Sequence, residues 1–299
     1  MYGLIIYFSL TENTKKIAHA IHKGMTPLAE ECDLVTLKQV DMNSLDKYGL
    51  IGLGSPVWAG VPANVEGFIQ SLPILKGQHI FAFSTHGTKP ERFFPRIVEL
   101  LTNRGLTVIG TRDWYGSVYL PNLPKPYFTD GHPDEIDLQE AEDFGREMIA
   151  FSKKIKAGEA EPSSLPKPLP PEAYSSARPR IKKTFHEQKC RFPECRLCMD
   201  HCPMDAIDLS LFPRIFKKGC EYCYFCEMIC PEGAIEVDYG AVLDMGVSRA
   251  RDVFLKALET AEAEGRFRPL VSKKDIGWDT PYYKLHNKHP RYIIPQDEK

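Results

Sequence analysis

The sequence predicts an α/β protein in two parts: a doubly wound parallel sheet with helices on both faces, followed by a small α+β domain held by metal. Three observations predict this. Apolar, strand-like runs alternate with helical runs from residue 1 to about 157. A proline-rich stretch interrupts the alternation at 158–184. Eight of the nine cysteines then fall between positions 190 and 230.

Taken in order, YGLIIYFS (2–9) reads as a buried strand and NTKKIAHAIHKGM (13–25) as a helix with Ile17, Ala20 and Ile21 on one face. CDLVTLK (32–38) and YGLIGLGS (48–55) are the second and third strands. NVEGFIQSL (64–72) is a helix, HIFAFST (79–85) a strand, and PERFFPRIVELLTNRG (90–105) a helix in spite of Pro95. LTVIGTRDWYGSV (106–118) supplies a strand and the loop after it, and 134–158 a long closing helix. Residues 158–184 hold six prolines and read as a stiff, extended linker whose basic end, Arg178, Arg180, Lys182 and Lys183, reads as a solvated tether in preference to a dock for an acidic partner. The cysteine block occupies 185–241, and 242–299 is a further extension. There 248–265 is a helix with Ala250, Phe254, Ala257, Leu258 and Ala261 on one side, and the aromatic tail with Trp278, Tyr282, Tyr283 and Tyr292 wraps over apolar surface.

Composition narrows the function classes. At 43% hydrophobic and 26% charged residues the chain is of ordinary globular type. A net charge of -2 gives no electrostatic case for nucleic acid. No apolar run has membrane-spanning length, and the first residues lack the basic lead of a secretory signal, so the expected location is the cytoplasm. Thiols stay reduced there, which turns eight clustered cysteines from disulfides towards metal. Cys32, standing alone in a strand, reads as core packing.

The cysteine block is a duplication. At an offset of 28, Cys195 falls on Cys223, Cys198 on Cys226 and Cys202 on Cys230, and CPMDAIDL matches CPEGAIEV. Only Cys190 departs, because its loop to Cys195 has four residues where Cys220 to Cys223 has two. Structural zinc usually takes two separated pairs of ligands. Three close thiols with a fourth before proline, given twice, is the pattern of an iron–sulfur run. The block resembles the bacterial ferredoxins that carry two 4Fe–4S clusters. That resemblance implies one cluster on Cys190, Cys195, Cys198 and Cys230, and the other on Cys220, Cys223, Cys226 and Cys202. The wider first loop departs from the family pattern and bears on Cys190.

At the other end, SLTENT (9–14) joins the first strand to the first helix. A hydroxyl-rich loop at a helix N-terminus suits a phosphate, and it also suits plain helix capping. Ser9, Thr11, Asn13 and Thr14 are the candidate side-chain donors. GSPVWAGVPAN (54–64) follows the third strand and STHGTKP (84–90) the fourth. These stretches resemble the phosphate loop and the two ring-binding loops of flavodoxins. The resemblance implies the strand order 2-1-3-4-5 and an FMN at its switch point. It implies cofactor contacts from Ser9, Thr11, Glu12, Asn13 and Thr14, from Pro56, Val57, Trp58, Ala59 and Gly60, and from Ser84, Thr85, His86 and Gly87. Trp58 is placed to stack on the ring and His86 to meet its edge. The family often has glycine where Leu10 and Glu12 stand, and a carboxylate at Glu12 repels a phosphate unless it is turned to solvent.

The whole chain is similar to flavodoxin–ferredoxin fusion proteins of anaerobic metabolism, over 1–157 and 185–241. The resemblance implies an electron-transfer protein working between FMN and two 4Fe–4S clusters, with a redox partner protein as donor or acceptor. The alternatives are a flavin-dependent reductase of a small organic substrate fed by the clusters, and a module that uses the clusters structurally. A homodimer is among the arrangements that would bring distant centres together. No catalytic triad or carboxylate pair is evident, and no G-x-G-x-x-G fingerprint supports direct use of a nicotinamide cofactor.

Overall fold

The computed structural model describes residues 1–162, 164–174, 181–212, 214–216 and 219–296. The chain divides into two compact units: Met1–Ser117 with Gly131–Ser176, and Val118–Asp130 with Ala177–Lys299.

In the first unit, β1 (Gly3–Tyr7), β2 (Cys32–Thr36), β3 (Leu50–Pro56), β4 (His79–His86) and β5 (Thr107–Tyr115) form one sheet. All pairs are parallel and the order is β2-β1-β3-β4-β5. Side chains alternate between faces along each strand. Ile5, Phe81 and Phe83 face Ile17 and Ile21 of α1 (Asn13–Met25) and Phe144 and Ile149 of α4 (Glu135–Lys156). Leu4, Ile6, Ile80 and Ala82 face Val65 and Ile69 of α2 (Ala63–Ser71) and Ile97 and Leu101 of α3 (Phe93–Thr102). Burial on both faces explains why the strands read as continuous apolar runs. Helix α3 begins at Phe93, so Pro95 lies in its first turn, where a missing N–H breaks no intrahelical bond. Helices α1 and α4 touch through backbone, since a β-carbon on Gly24 would meet the Glu142 carbonyl oxygen at 1.9 Å. Cys32 is half-buried, and burial pushes its thiol up to about 12.

As far as residue 174 the stretch after α4 lies against the first unit. Leu165 packs on the α2/α3 side of the core. Arg92 donates to the Ala173 carbonyl, and the Arg96 guanidinium lies 5.2 Å from the Tyr174 ring centre. Arg178 and Arg180 lie outside the described residues. Lys182 is exposed, but Lys183 opens a strand of the second unit.

The second unit repeats a small motif. Strand β6 (Lys183–Phe185) pairs antiparallel with β9 (Ile235–Val237), and β7 (Ile207–Asp208) with β8 (Ile215–Phe216). Short helices α5 (Leu197–Asp200) and α6 (Phe225–Met228) follow the leading cysteines. The extension is α7 (Gly240–Arg249), a π-helical turn (Ala250–Phe254), α8 (Leu255–Ala263) and α9 (Tyr282–Leu285). The extension's first helix therefore begins at Gly240, earlier than the pattern at 248–265 indicates, and Ala250, Leu258 and Ala261 are its buried side.

Val118–Asp130 also belongs to this unit, whereas the sequence pattern assigns it to the first 157 residues. The reason is pairing with the tail. Lys125 N–H donates to Thr280 O at 3.0 Å, Gly277 N–H to Pro126 O at 3.1 Å, and Tyr282 N–H to Leu123 O at 3.0 Å. Phe128 packs on Trp278, and Tyr119 on Tyr282 and Tyr292.

Candidate functional site

The eight clustered thiols line two cavities. One is walled by Cys190, Cys195, Cys198 and Cys230, and the other by Cys202, Cys220, Cys223 and Cys226. Each thus takes three cysteines from one copy of the repeat and the fourth from the other. The two cavities are similar in size. The crossing follows from strand pairing: the strand after the second run (β9) returns to the one before the first run (β6), and β7 pairs with β8.

The local structure obeys the same offset of 28. Helix α5 starts at Leu197 and α6 at Phe225. Ala206 N–H donates to Cys202 Sγ at 3.3 Å, and Ala234 N–H to Cys230 Sγ at 3.3 Å. Asp205 and Gly233 both take positive φ, 47° and 59°, to make the turn after the fourth thiol. Burial, then the neighbouring Cys230, Cys190 and Cys195, pushes the Cys198 thiol up to about 12. Burial drives Cys226 well above the ordinary thiol value. A metal bound among such thiols would displace their protons.

In the first unit, three loops meet at the carboxyl ends of β1, β3 and β4. Phe8 N–H donates to Gly54 O at 2.9 Å and Val57 N–H to Thr85 O at 2.9 Å, tying the three strand ends together. Helix α1 starts without a side-chain cap. Glu12 stands there in the left-handed region at φ 66°, and its carboxylate is 3.1 Å from Lys15 Nζ. Asn13 Nδ2 donates to Ser117 O at 2.7 Å, and the Thr14 and Thr85 hydroxyls share a buried hydrogen bond of 2.7 Å. Asn13 and Thr14 therefore already have protein partners, while Ser9 and Thr11 are half-buried at the mouth of the loop.

Pro56 ends β3. Val57 and Trp58 pack against the core, and the Trp58 ring meets Phe8 edge-on at 5.4 Å. The Ala59–Gly60 turn takes positive φ at both residues, and Arg92 Nε holds the Ala59 carbonyl at 2.9 Å. His86 is the last residue of β4, not a loop residue. Its Nε2 is 2.7 Å from Asp113 Oδ2 and its ring is edge-on to Tyr115. Gly87 follows, half-buried. Buried and without hydrogen-bond partners are Ser84 Oγ and His86 Nδ1, at the carboxyl end of β4, and Asn64 Oδ1, in the first turn of α2. Buried polar atoms are nearly always satisfied, so the two orphans at the end of β4 point to a polar ligand.

Comparison with known proteins agrees with both halves. The flavodoxin domain family matches residues 4–104. An uncharacterized ferredoxin of Methanocaldococcus jannaschii is 33% identical over 57 residues, which is 18% of this chain and 92% of that protein. A ferredoxin of Methanothermococcus thermolithotrophicus is 34% identical over 56 residues, 18% of this chain and 93% of its own. The chain is a flavodoxin–ferredoxin fusion. Among solved structures, a flavodoxin from the domain Archaea aligns at 22% identity over 51% of this chain and 99% of its own, with a TM-score of 0.40.

Two features of the ferredoxin half were not legible in its cysteine spacing. Lys183, expected in the tether, has its Nζ 2.8 Å from Cys220 Sγ. Glu227, next to Cys226, is buried, accepts from Arg291 Nε at 2.6 Å and from the Tyr239 hydroxyl at 2.9 Å. A carboxylate on an apolar helix beside one of the clustered cysteines was the available signal for a buried partner.

Proposed function

We propose that this fusion is an electron carrier that holds FMN at the loops of its first unit and two 4Fe–4S clusters in the two thiol cavities of its second. The observation that carries the reading is the crossed cavity, four thiols from two copies of one motif, given twice. Soft thiolates in closed sets of four suit iron–sulfur cores. When bound, the clusters move electrons singly and FMN exchanges them singly or in pairs, so the set converts between one- and two-electron chemistry.

The chain's own residues supply binding and environment. Cys190, Cys195, Cys198 and Cys230 would ligate the first cluster, and Cys202, Cys220, Cys223 and Cys226 the second. Buried Leu209 and Ile235 give the first set an apolar wall on one side. The uncapped start of α1, with Ser9 and Thr11, would receive the phosphate. Asn13 and Thr14 act by bracing that loop against Ser117 and Thr85. Pro56, Val57, Trp58, Ala59 and Gly60 form one wall for the ring, and Ser84, Thr85, His86 and Gly87 another. His86 Nδ1 and Ser84 Oγ are the unpartnered atoms that a polar ring edge would satisfy. The partner is a redox protein that donates or accepts single electrons.

Purification without air tests this directly. The expected preparation is brown, with about eight irons, matching acid-labile sulfide and about one FMN per chain. Once reduced, it should reoxidise with a one-electron protein acceptor such as an added ferredoxin. Zinc in place of iron with no flavin refutes the carrier. Rapid turnover of a small quinone with no transfer to any protein acceptor would favour the reductase instead.

A further inference from the structure

The structure assigns Lys183 a role beyond that reading: it raises the reduction potential of the Cys220 cluster above that of its twin, so that the first electron entering the ferredoxin half rests there. The assignment depends on the two-cluster reading. It comes from comparing the two halves of a duplication that ought to be equivalent.

Lys183 lies opposite Val237 in the β6/β9 ladder. The offset of 28 carries Val237 onto Leu209. In the β7/β8 ladder Asp208 lies opposite Ile215, so one further step places Leu209 opposite Arg214. The two copies therefore carry a cation at the same position, and the two cations do different things. Lys183 is half-buried, sits over the Phe216 and Tyr222 rings at 4.1 and 4.8 Å, and has its Nζ 2.8 Å from Cys220 Sγ. Arg214 turns away to Glu187, whose carboxylate is 3.3 Å from its Nε and accepts from its backbone N–H at 2.6 Å. Its guanidinium lies 4.9 Å from the ring of Phe192, one of the residues in the widened Cys190–Cys195 loop. The insertion and Glu187 thus hold the first copy's cation away from a ligand sulfur.

The assignment rests on the direct contact of Lys183 with one sulfur and not on the net charge lining each cavity. Beside the first, Arg191 is ion-paired with Glu232 at 3.0 Å, and Lys189 is exposed to screening solvent. Beside the second, Glu221 also lines the cavity, His201 Nδ1 is 3.0 Å from the Leu197 carbonyl, and the exposure of Lys183 is only partial. A positive N–H donor on a ligand sulfur stabilises the more negative, reduced cluster, and hydrogen bonds to sulfur are a principal means of setting such potentials. One electron from a mediator then occupies the Cys220 cluster before the other, with no bond made or broken in the protein.

The test is an anaerobic redox titration of the full chain, following the two clusters by electron paramagnetic resonance, with iron and sulfide counted in every sample. In Lys183→Met the higher of the two potentials should fall while the lower stays. At fixed ambient potential the ratio of the two reduced clusters should change about tenfold, which is about 59 mV for one electron. Lys183→Arg should restore most of the difference, and Lys183→Gln, an uncharged donor, should lie between. Full iron with both potentials unmoved, with both moved alike, or with only the lower one moved overturns the assignment. Loss of iron in both Lys183→Met and Lys183→Gln overturns it too, since Lys183 would then serve assembly. Wild type lacking iron and sulfide would instead remove the two-cluster reading beneath it.

Discussion

Glu12 is the residue at which this sequence departs most visibly from the flavodoxin pattern, and the structure shows what the departure involves. The loop needs the left-handed backbone that glycine adopts freely, and Glu12 adopts it at φ 66°. Such a conformation costs a side-chain-bearing residue on the order of 1 kcal/mol. Lys15, 3.1 Å away, neutralises the carboxylate that would otherwise oppose a phosphate at the start of α1. Two variants should therefore move FMN affinity in opposite directions. Glu12→Gly removes the charge and the strain, and should tighten FMN by about fivefold, from roughly 1 kcal/mol of Coulomb energy at intermediate dielectric. Lys15→Met uncovers the carboxylate and should loosen it by a similar factor. Quenching of free-flavin fluorescence on titration measures both; equal affinities in the two variants would place the phosphate elsewhere. Neither the φ value nor the ion pair was visible in the sequence, where Glu12 showed as a missing glycine and a carboxylate set against a phosphate.

At the scale of elements, what could be read early was whatever repeats locally. The strand–helix alternation gave the sheet because buried parallel strands must be apolar throughout, and the cysteine offset of 28 reappears in α5 and α6, β7 and β9, and the Asp205 and Gly233 turns. What escaped reading was pairing across long separations. Arg291, in an aromatic tail expected only to cover surface, inserts its guanidinium against Glu227 on α6. Their side chains are 12% and 1% exposed, so solvent has little access to replace a lost partner. Removing one member leaves a charge stranded, typically at 3–5 kcal/mol, whereas replacing both is far milder. Arg291→Ala should lower the melting temperature of the metal-loaded protein by roughly 9 °C, at about 3 °C per kcal/mol for a chain of this size. The double variant Glu227→Gln with Arg291→Met should recover more than half of that, because the neutral amide would still accept from the Tyr239 hydroxyl. Scanning calorimetry under anaerobic conditions decides, and additive losses in the double variant would mean the two residues act separately.

The whole molecule is not two beads on a string in sequence, although its composition reads that way. The proline-rich break at 158–184 invites a cut there, yet the chain has already entered the second unit at Val118 and left it at Asp130. That excursion buries Leu123, Tyr127 and Phe128 to 6%, 1% and 4% exposure, and its backbone bonds run to residues 277–283. Local pattern could not show this, because 118–130 has neither strand nor helix periodicity and its partners lie about 150 residues later. A fragment ending at residue 174 would keep the five-stranded sheet and lose every one of those partners. Each newly exposed aromatic costs about 2 kcal/mol of burial, so the segment should open even where the sheet remains folded. Chymotrypsin should cut the fragment rapidly after Tyr127 or Phe128 and leave the full chain intact there, with circular dichroism showing the fragment's sheet still present. Equal resistance in both would mean that 118–130 is held by the flavodoxin half itself, and that the linker is after all a clean boundary.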